Sequence, residues 1–196
     1  MNAEALQRSC SVLEAFGREQ RTELLTIVFT DIAGSAALKQ QWGEHEAMVL
    51  VQRHHALIRE LLGTFARARE VETAGDSFLL VFVQPSEAVK FVLQLQVRLR
   101  VLAQETGKPV WDRVGVHVGE VFVQEQAGAA KLFGSQVDVC ARVMSLATAN
   151  QVLISRKVFA QLESLLEVDE PQALSLKGFQ RPIDCFSVRG MKALAS

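Results

Sequence analysis

Two acids in this chain each close an apolar run beside a glycine, a place where carboxylates can gather around hard cations. Asp31 ends LLTIVFTD (24–31) and runs straight into Ile32-Ala33-Gly34-Ser35, while Asp76 follows Gly75 between two apolar segments. A single acid at a strand end is ordinarily a turn former or a helix cap. Two of them, each against a tight backbone turn, allow another reading. If the first strand lies beside the later hairpin, both carboxylates leave one sheet edge and can share oxygen-seeking ions such as Mg²⁺ or Mn²⁺. The short turn into a helix would then offer backbone N–H groups, at Gly34 and Ser35, to phosphate oxygens. Residue types alone permit a phosphate–metal site and equally permit two ordinary turns.

Those acids need a scaffold, and the hydrophobic pattern supplies one. The β-branched run 24–31 predicts a buried strand, followed after the break at 32–35 by one long helix from about Ser35 to Leu62. Residues 66–82 read as two strands around a turn at Ala74-Gly75-Asp76, and Pro85 suits the entry of a helix running to about Gln104. The stretch 113–124 is expected to be a strand pair pivoting near Gly119. A helix from about Ser135 to Ala147, a strand at 151–155, a helix over KVFAQLESLL and a terminal hairpin around Gly178 to Pro182 complete the pattern. Strands that alternate with helices yet include hairpins predict an α+β sandwich, not a doubly wound parallel sheet. Leu6, Cys10 and Leu13 recur at helical spacing, so residues 3–16 are expected to form a helix, either packed on its own domain or pairing two chains.

Bulk composition narrows the function classes. At 196 residues, with 49% hydrophobic and 22% charged residues, the chain fits one soluble domain. A formal net charge of -1 gives no global field toward nucleic acid or an anionic membrane. The three cysteines, Cys10, Cys140 and Cys185, form no CxxC or His/Cys cluster, which speaks against a disulfide framework or a zinc site. No apolar run nears the roughly 18–20 residues that span a bilayer. A cytoplasmic domain is expected, free-standing or cut from a longer membrane receptor. His54 and His55 carry no specific signal in the long helix; His117 reads as a structural strand residue, and Cys140 as a small core residue.

Five segments together resemble class III adenylyl and guanylyl cyclases. FTDIAGS is similar to their first metal motif and VETAGDSFLLVF to their second; VGVHVGEV, LFGSQVDVCARVMSLA and QVLIS with the later LKG match three further segments in order, from about Leu24 to Val188. The resemblance implies a ferredoxin-like βαββαβ core with additional C-terminal strands and a helix, preceded by an N-terminal helix or linker over 1–20. It implies cyclisation of a nucleoside triphosphate, ATP or GTP, to its 3′,5′-cyclic monophosphate with release of pyrophosphate. The cofactors implied are two Mg²⁺ or Mn²⁺ ions per site, held by Asp31, Asp76 and the Ile32 carbonyl. Arg142 matches the arginine that supports charge on the transferring phosphoryl group, and Lys177 a basic position near the triphosphate. The site forms between two chains in that family, so a homodimer is the implied partner.

Three positions depart from the adenylyl cyclase pattern. Glu72 stands where that pattern has lysine, Lys131 where it has aspartate or threonine, and Asp138 where an asparagine orients the ribose. Glu72 with Lys131 suits the acceptor and donor edge of guanine, or of uracil. As a swapped pair they still offer one donor and one acceptor to adenine, so base identity stays open. An ionised Asp138 near a polyanion would cost about one to a few kcal/mol. That leaves a rival reading, a cyclase-like regulatory or dimerisation module with weak or no activity. A polymerase or nuclease is disfavoured by the absence of a basic groove in the composition.

Overall fold

The computed structural model describes residues 20–126, 129–174 and 182–192. In chain order the elements are β1 (Gln20–Ile32), α1 (Ser35–Trp42), α2 (Glu44–Leu62), β2 (Ala68–Ala74), β3 (Ser77–Phe82), α3 (Pro85–Thr106) and β4 (Asp112–Gln126). There follow β5 (Ala129–Phe133), α4 (Ser135–Leu146), β6 (Val152–Ser155), α5 (Arg156–Leu162), β7 (Leu166–Val168), β8 (Gln172–Leu174) and β9 (Ile183–Met191). The sheet runs β2-β3-β1-β4-β6-β9-β7, with β5 on β4 and β8 on β9. Its first four strands are antiparallel and connected as a split βαβ pair, the ferredoxin-like core expected from the sequence. The β4–β6 pair is parallel, joined through β5 and α4.

Burial on both faces explains why β1 reads as a continuous apolar run and not as a clean alternation. One face carries Val28, Phe78, Leu80, Phe82, Val114 and Val116, roofed by Ile58 and Leu61 of α2, Phe91, Val92, Leu95 and Leu99 of α3, and Val158 of α5. Leu25, Ile27, Leu79, Val81, Val121 and Val123 line the other face, where Cys140 of α4 packs.

Three expectations about elements need correction. The single helix over 35–62 is two helices, broken at Gly43, whose φ of 81° with ψ of 161° belongs to glycine's range. The break lets α1 stay at the end of β1, in a small core of Ile32, Leu38, Ala47, Leu50 and Val110, while α2 crosses the sheet. Gly119 is no pivot: β4 passes through it unbroken, and its partner hairpin strand is β5. The helix after β6 stops at Leu162, and Leu166 is drawn into the core as the start of β7. β8 and β9 do pair as an antiparallel hairpin, though its turn, with Lys177, lies outside the described residues, as does the stretch 3–16. Among the described residues no helix is long and apolar enough to cross a membrane.

Candidate active site

The antiparallel register of β1 with β3 pairs Thr30 with Phe78, so the next step along brings Asp31 to Ser77, the neighbour of Asp76. The hydroxyl of Ser77 donates to Asp31 Oδ1 at 2.6 Å. On the other side β4 pairs Arg113 with Asp31, and the Arg113 Nε donates to Oδ2 at 2.9 Å. The largely buried Asp31 carboxylate is therefore aimed from both neighbouring strands. Gly75, at φ 63°, makes the turn that presents Asp76 at the same edge. Asp76 is half-buried, and its Oδ2 is a buried atom with no hydrogen-bond partner.

Ile32 sits one residue beyond Asp31 with its side chain in the α1–α2 core, which fixes the main chain there. Ala33 N–H donates to the Trp111 carbonyl at 2.8 Å. Gly34 adopts φ 73° as the N-cap of α1, and α1 has neither a side-chain cap nor an acid in its first turn. Ser35 opens that helix. Its first N–H groups and the positive end of its dipole are thus left available to an anion.

Glu72 reaches the open face of the sheet through a β-bulge. Glu70 pairs with Leu80, on the helix-covered face, and bonds Arg59 of α2 at 2.8 Å. With regular alternation Glu72 would follow it there, but the register shifts between the two so that Glu72 pairs with Leu79 and is exposed. Lys131, exposed on β5, pairs with Gln124. Asp138 lies exposed in the first turn of α4, where a helix N-terminus favours a negative charge. Arg142 is half-buried one turn further on. What holds α4 in place is Gly115: a Cβ there would fall 2.4 Å from the Met144 nitrogen and 2.8 Å from the Cys140 carbonyl oxygen. Gly119 similarly admits Gln136, whose Oε1 accepts from His117 Nε2 at 2.9 Å while His117 Nδ1 meets the Ser155 hydroxyl at 2.8 Å.

Several site residues were not legible as such in the sequence. Arg113 and Ser77 hold Asp31, and directly behind them lies a fully buried trio. His54 Nε2 donates to Asp112 Oδ1 at 2.8 Å, and the Thr30 hydroxyl donates to Asp112 Oδ2. The alternation of β1 and β4 thus sets Thr30 and Asp112 on the helix-covered face, and Asp31 and Arg113 on the other. The one faint signal was the acid–base dipeptide Asp112-Arg113 at the head of an apolar strand.

The donor set suits a hard divalent cation. Asp31 lies opposite Ser77, the chain neighbour of Asp76, and Asp76 keeps one buried carboxylate oxygen without a hydrogen-bond partner. Among the described residues no three His, Cys, Asp or Glu side chains gather as a self-sufficient metal cluster. Cations here would share the two carboxylates with oxygens of a bound phosphate chain and water, as Mg²⁺ commonly does.

Comparison with known proteins identifies the family and the fold. A model of the family described as "Adenylate and Guanylate cyclase catalytic domain" matches residues 18–190. The receptor-type adenylate cyclase GRESAG 4.3 of Trypanosoma brucei brucei is 26% identical over 217 residues, an alignment covering 88% of this chain and 17% of that relative's length. Among solved structures, the adenylyl cyclase CyaB from P. aeruginosa superposes with a TM-score of 0.80 at 20% identity, covering 87% of this chain and 95% of that one. The guanylyl cyclase Cya2 superposes at 0.81 with 21% identity, covering 89% and 95%. The structural likeness establishes the fold.

Proposed function

The chain belongs to the family of adenylate and guanylate cyclase catalytic domains, and from that premise we propose that it is a nucleotidyl cyclase, a phosphorus–oxygen lyase, and that two such chains together cyclise a purine nucleoside triphosphate on divalent cations held by Asp31 and Asp76. The observation that supports this reading is the bond from Ser77, the chain neighbour of Asp76, to Asp31, together with the Asp76 Oδ2 left buried and unpartnered. In the reaction the ribose 3′-oxygen forms a bond to the α-phosphorus, the bond to the β,γ-diphosphate breaks, and pyrophosphate leaves. Bound Mg²⁺ or Mn²⁺ would lower the pKa of the attacking hydroxyl and offset charge on the leaving group.

The chain's own groups do the positioning. Ser77 and Arg113 fix the direction of Asp31. The Ile32 carbonyl adds an oxygen ligand, and the uncapped start of α1 at Gly34 and Ser35 cradles phosphate oxygens. Arg142, from the second chain, stabilises the phosphoryl charge as it develops. Glu72 and Lys131 of that chain read the base, and Asp138 orients the ribose. Lys177 is proposed to meet the triphosphate. The exposed apolar side chains Leu24, Phe122 and Phe133 flank the β5–α4 connection, and such a patch favours burial against a second copy. The free thiols Cys140 and Cys185 fit a reducing cytoplasmic setting.

Glu72 on the open face, as a hydrogen-bond acceptor, favours guanine with its N1–H and 2-amino donors over adenine. A Mn²⁺-supported assay with all four nucleoside triphosphates tests the proposal. Cyclic product is expected from GTP, with ATP second, and the Glu72→Lys/Lys131→Asp double variant should move preference toward ATP. Absence of any cyclic product from all four would support the inactive-module reading instead.

A further inference from the structure

One buried histidine ties together the starts of two helices that carry no caps of their own. Helix α4 begins after Gly134, at φ 127°, with no side-chain cap, and α5 begins after Ser155, whose hydroxyl does not cap it. A serine in that place ordinarily bonds the first turn of its own helix. Here the Ser155 hydroxyl meets His117 Nδ1 at 2.8 Å, while His117 Nε2 meets Oε1 of Gln136, in the first turn of α4, at 2.9 Å. Lys157 of α5 donates to the same Oε1 at 3.1 Å. An ammonium can only donate, so the atom it shares with His117 is the amide oxygen; Nε2 then carries the ring proton and Nδ1 accepts from Ser155. Both ring nitrogens are thereby used. Gly119 makes the approach possible, because a Cβ there would fall 2.6 Å from Gln136 Cγ.

The same glutamine fixes how α4 is rolled. At about 100° per residue, Gln136, Cys140 and Val143 share one face of the helix, and Asp138 and Arg142, a turn apart, share another. Cys140 and Val143 are buried, and the Cys140 thiol donates to the Ile27 carbonyl at 3.2 Å. Those contacts hold the middle of α4 against the sheet but leave its first turn free to tilt. The Gln136 oxygen, met by donors from β4 and α5, removes that freedom. We propose that His117 and Gln136 are positioning residues for Asp138 and Arg142, holding the first turn of α4 at the angle from which those two side chains leave the helix. Neither touches the nucleotide. Without their bond the start of α4 can swing while its later part stays seated on Gly115, where no Cβ fits.

This inference rests on the reading that Asp138 and Arg142 of one chain serve a site whose metal acids belong to the other, and the test separates the two. When Asp31→Ala and Arg142→Ala chains are mixed, the competent heterodimer site takes α4 from the first chain and Asp31 from the second. Gln136→Met, which keeps an unbranched side chain beside Gly119 and removes the amide oxygen, is placed in each chain in turn. Cyclic product from the triphosphate that the wild type prefers is measured per heterodimer with Mn²⁺, alongside each protein's melting temperature. In the Asp31→Ala chain, whose α4 serves the competent site, the substitution should lower activity at least about tenfold, since a misplacement near 1 Å can cost about 10²-fold. In the Arg142→Ala chain, whose α4 serves only the site missing both residues, it should leave activity unchanged. Gln136→Glu in the Asp31→Ala chain keeps an acceptor oxygen for both donors and should recover most of the loss. Equal losses in both chains, no loss in either, or a glutamate variant as weak as the methionine one overturns the positioning role. A control heterodimer that is inactive with Gln136 intact overturns the two-chain reading and this one with it. Should Gln136→Met fail to fold in the Asp31→Ala chain, Gln136→Ala replaces it with the same expected asymmetry, and symmetric activity there overturns the proposal.

Discussion

Asp31 and Asp76 reach the same end of the sheet by different routes, and the difference matters for how each behaves. Asp31 is held on both oxygens by Ser77 and Arg113, whereas Asp76 keeps one oxygen unengaged. In the proposed site the first would be a pre-aimed ligand whose charge Arg113 already offsets, and the second would offer the freer oxygen to a cation. Both acids could be picked out of the sequence, because each ends an apolar strand beside a turn. Their supports could not. Arg113 and Ser77 lie 82 and 46 positions from Asp31, and His54 lies 58 from Asp112, so those pairings exist only once the register of the sheet is known. Glu72 was legible as a residue but not in its direction, which depends on a bulge. Acid sensitivity is also decided at this scale. Burial pushes the pKa of His117 below its ordinary value, against a smaller opposing effect of Gln136, and burial lowers that of His55 as well. The unfolded chain takes up these protons near pH 6.5, whereas the folded chain takes them up only at lower pH. Stability from this source is therefore complete above about pH 6.5 and is lost as pH falls through the lowered folded values. The urea midpoint should drop between pH 7.5 and 5.5, and His117→Gln should flatten that dependence; an equal slope in the variant would contradict it.

At the scale of elements, periodicity located nearly every strand and helix, and the errors cluster at glycines. Gly43 sits inside an otherwise helical pattern, and a lone glycine there is tolerated often enough that sequence does not mark it as a break. Its left-handed φ is visible only in the structure. Gly119 read as a turn, yet its small size serves contact with Gln136, and Gly115 does the same for the backbone of α4. Close approach and turning are two uses of the same missing Cβ, and sequence alone does not distinguish them. Gly115→Ala tests the packing use. An added methyl must push α4 away from β4, costing about 1–3 kcal/mol and displacing Asp138 and Arg142. Activity should fall far more than Mn²⁺ binding, since the acids stand on β1 and the β2–β3 turn. An alanine variant with full turnover would show that α4 need not sit where the structure has it.

For the whole molecule, the chain carries both halves of a site that the proposal divides between two copies. The acids proposed to hold metal stand on β1 and in the β2–β3 turn, and the groups proposed to read base, ribose and phosphoryl charge come from β2, β5 and α4. Sequence conveyed the order of these motifs and the type of fold; it did not convey which surface meets the second chain. That surface is suggested by Leu24 at 64%, Phe133 at 47% and Phe122 at 39% exposure, which no element among the described residues covers fully. The most direct measurement is complementation: Asp31→Ala and Arg142→Ala proteins are assayed alone and after mixing, with heterodimer content measured in the same sample. Each alone should be inactive, and the mixture should regain activity through the one heterodimer site in which an intact Asp31 faces an intact Arg142. A mixture that contains heterodimer and stays as inactive as its parents would contradict the account.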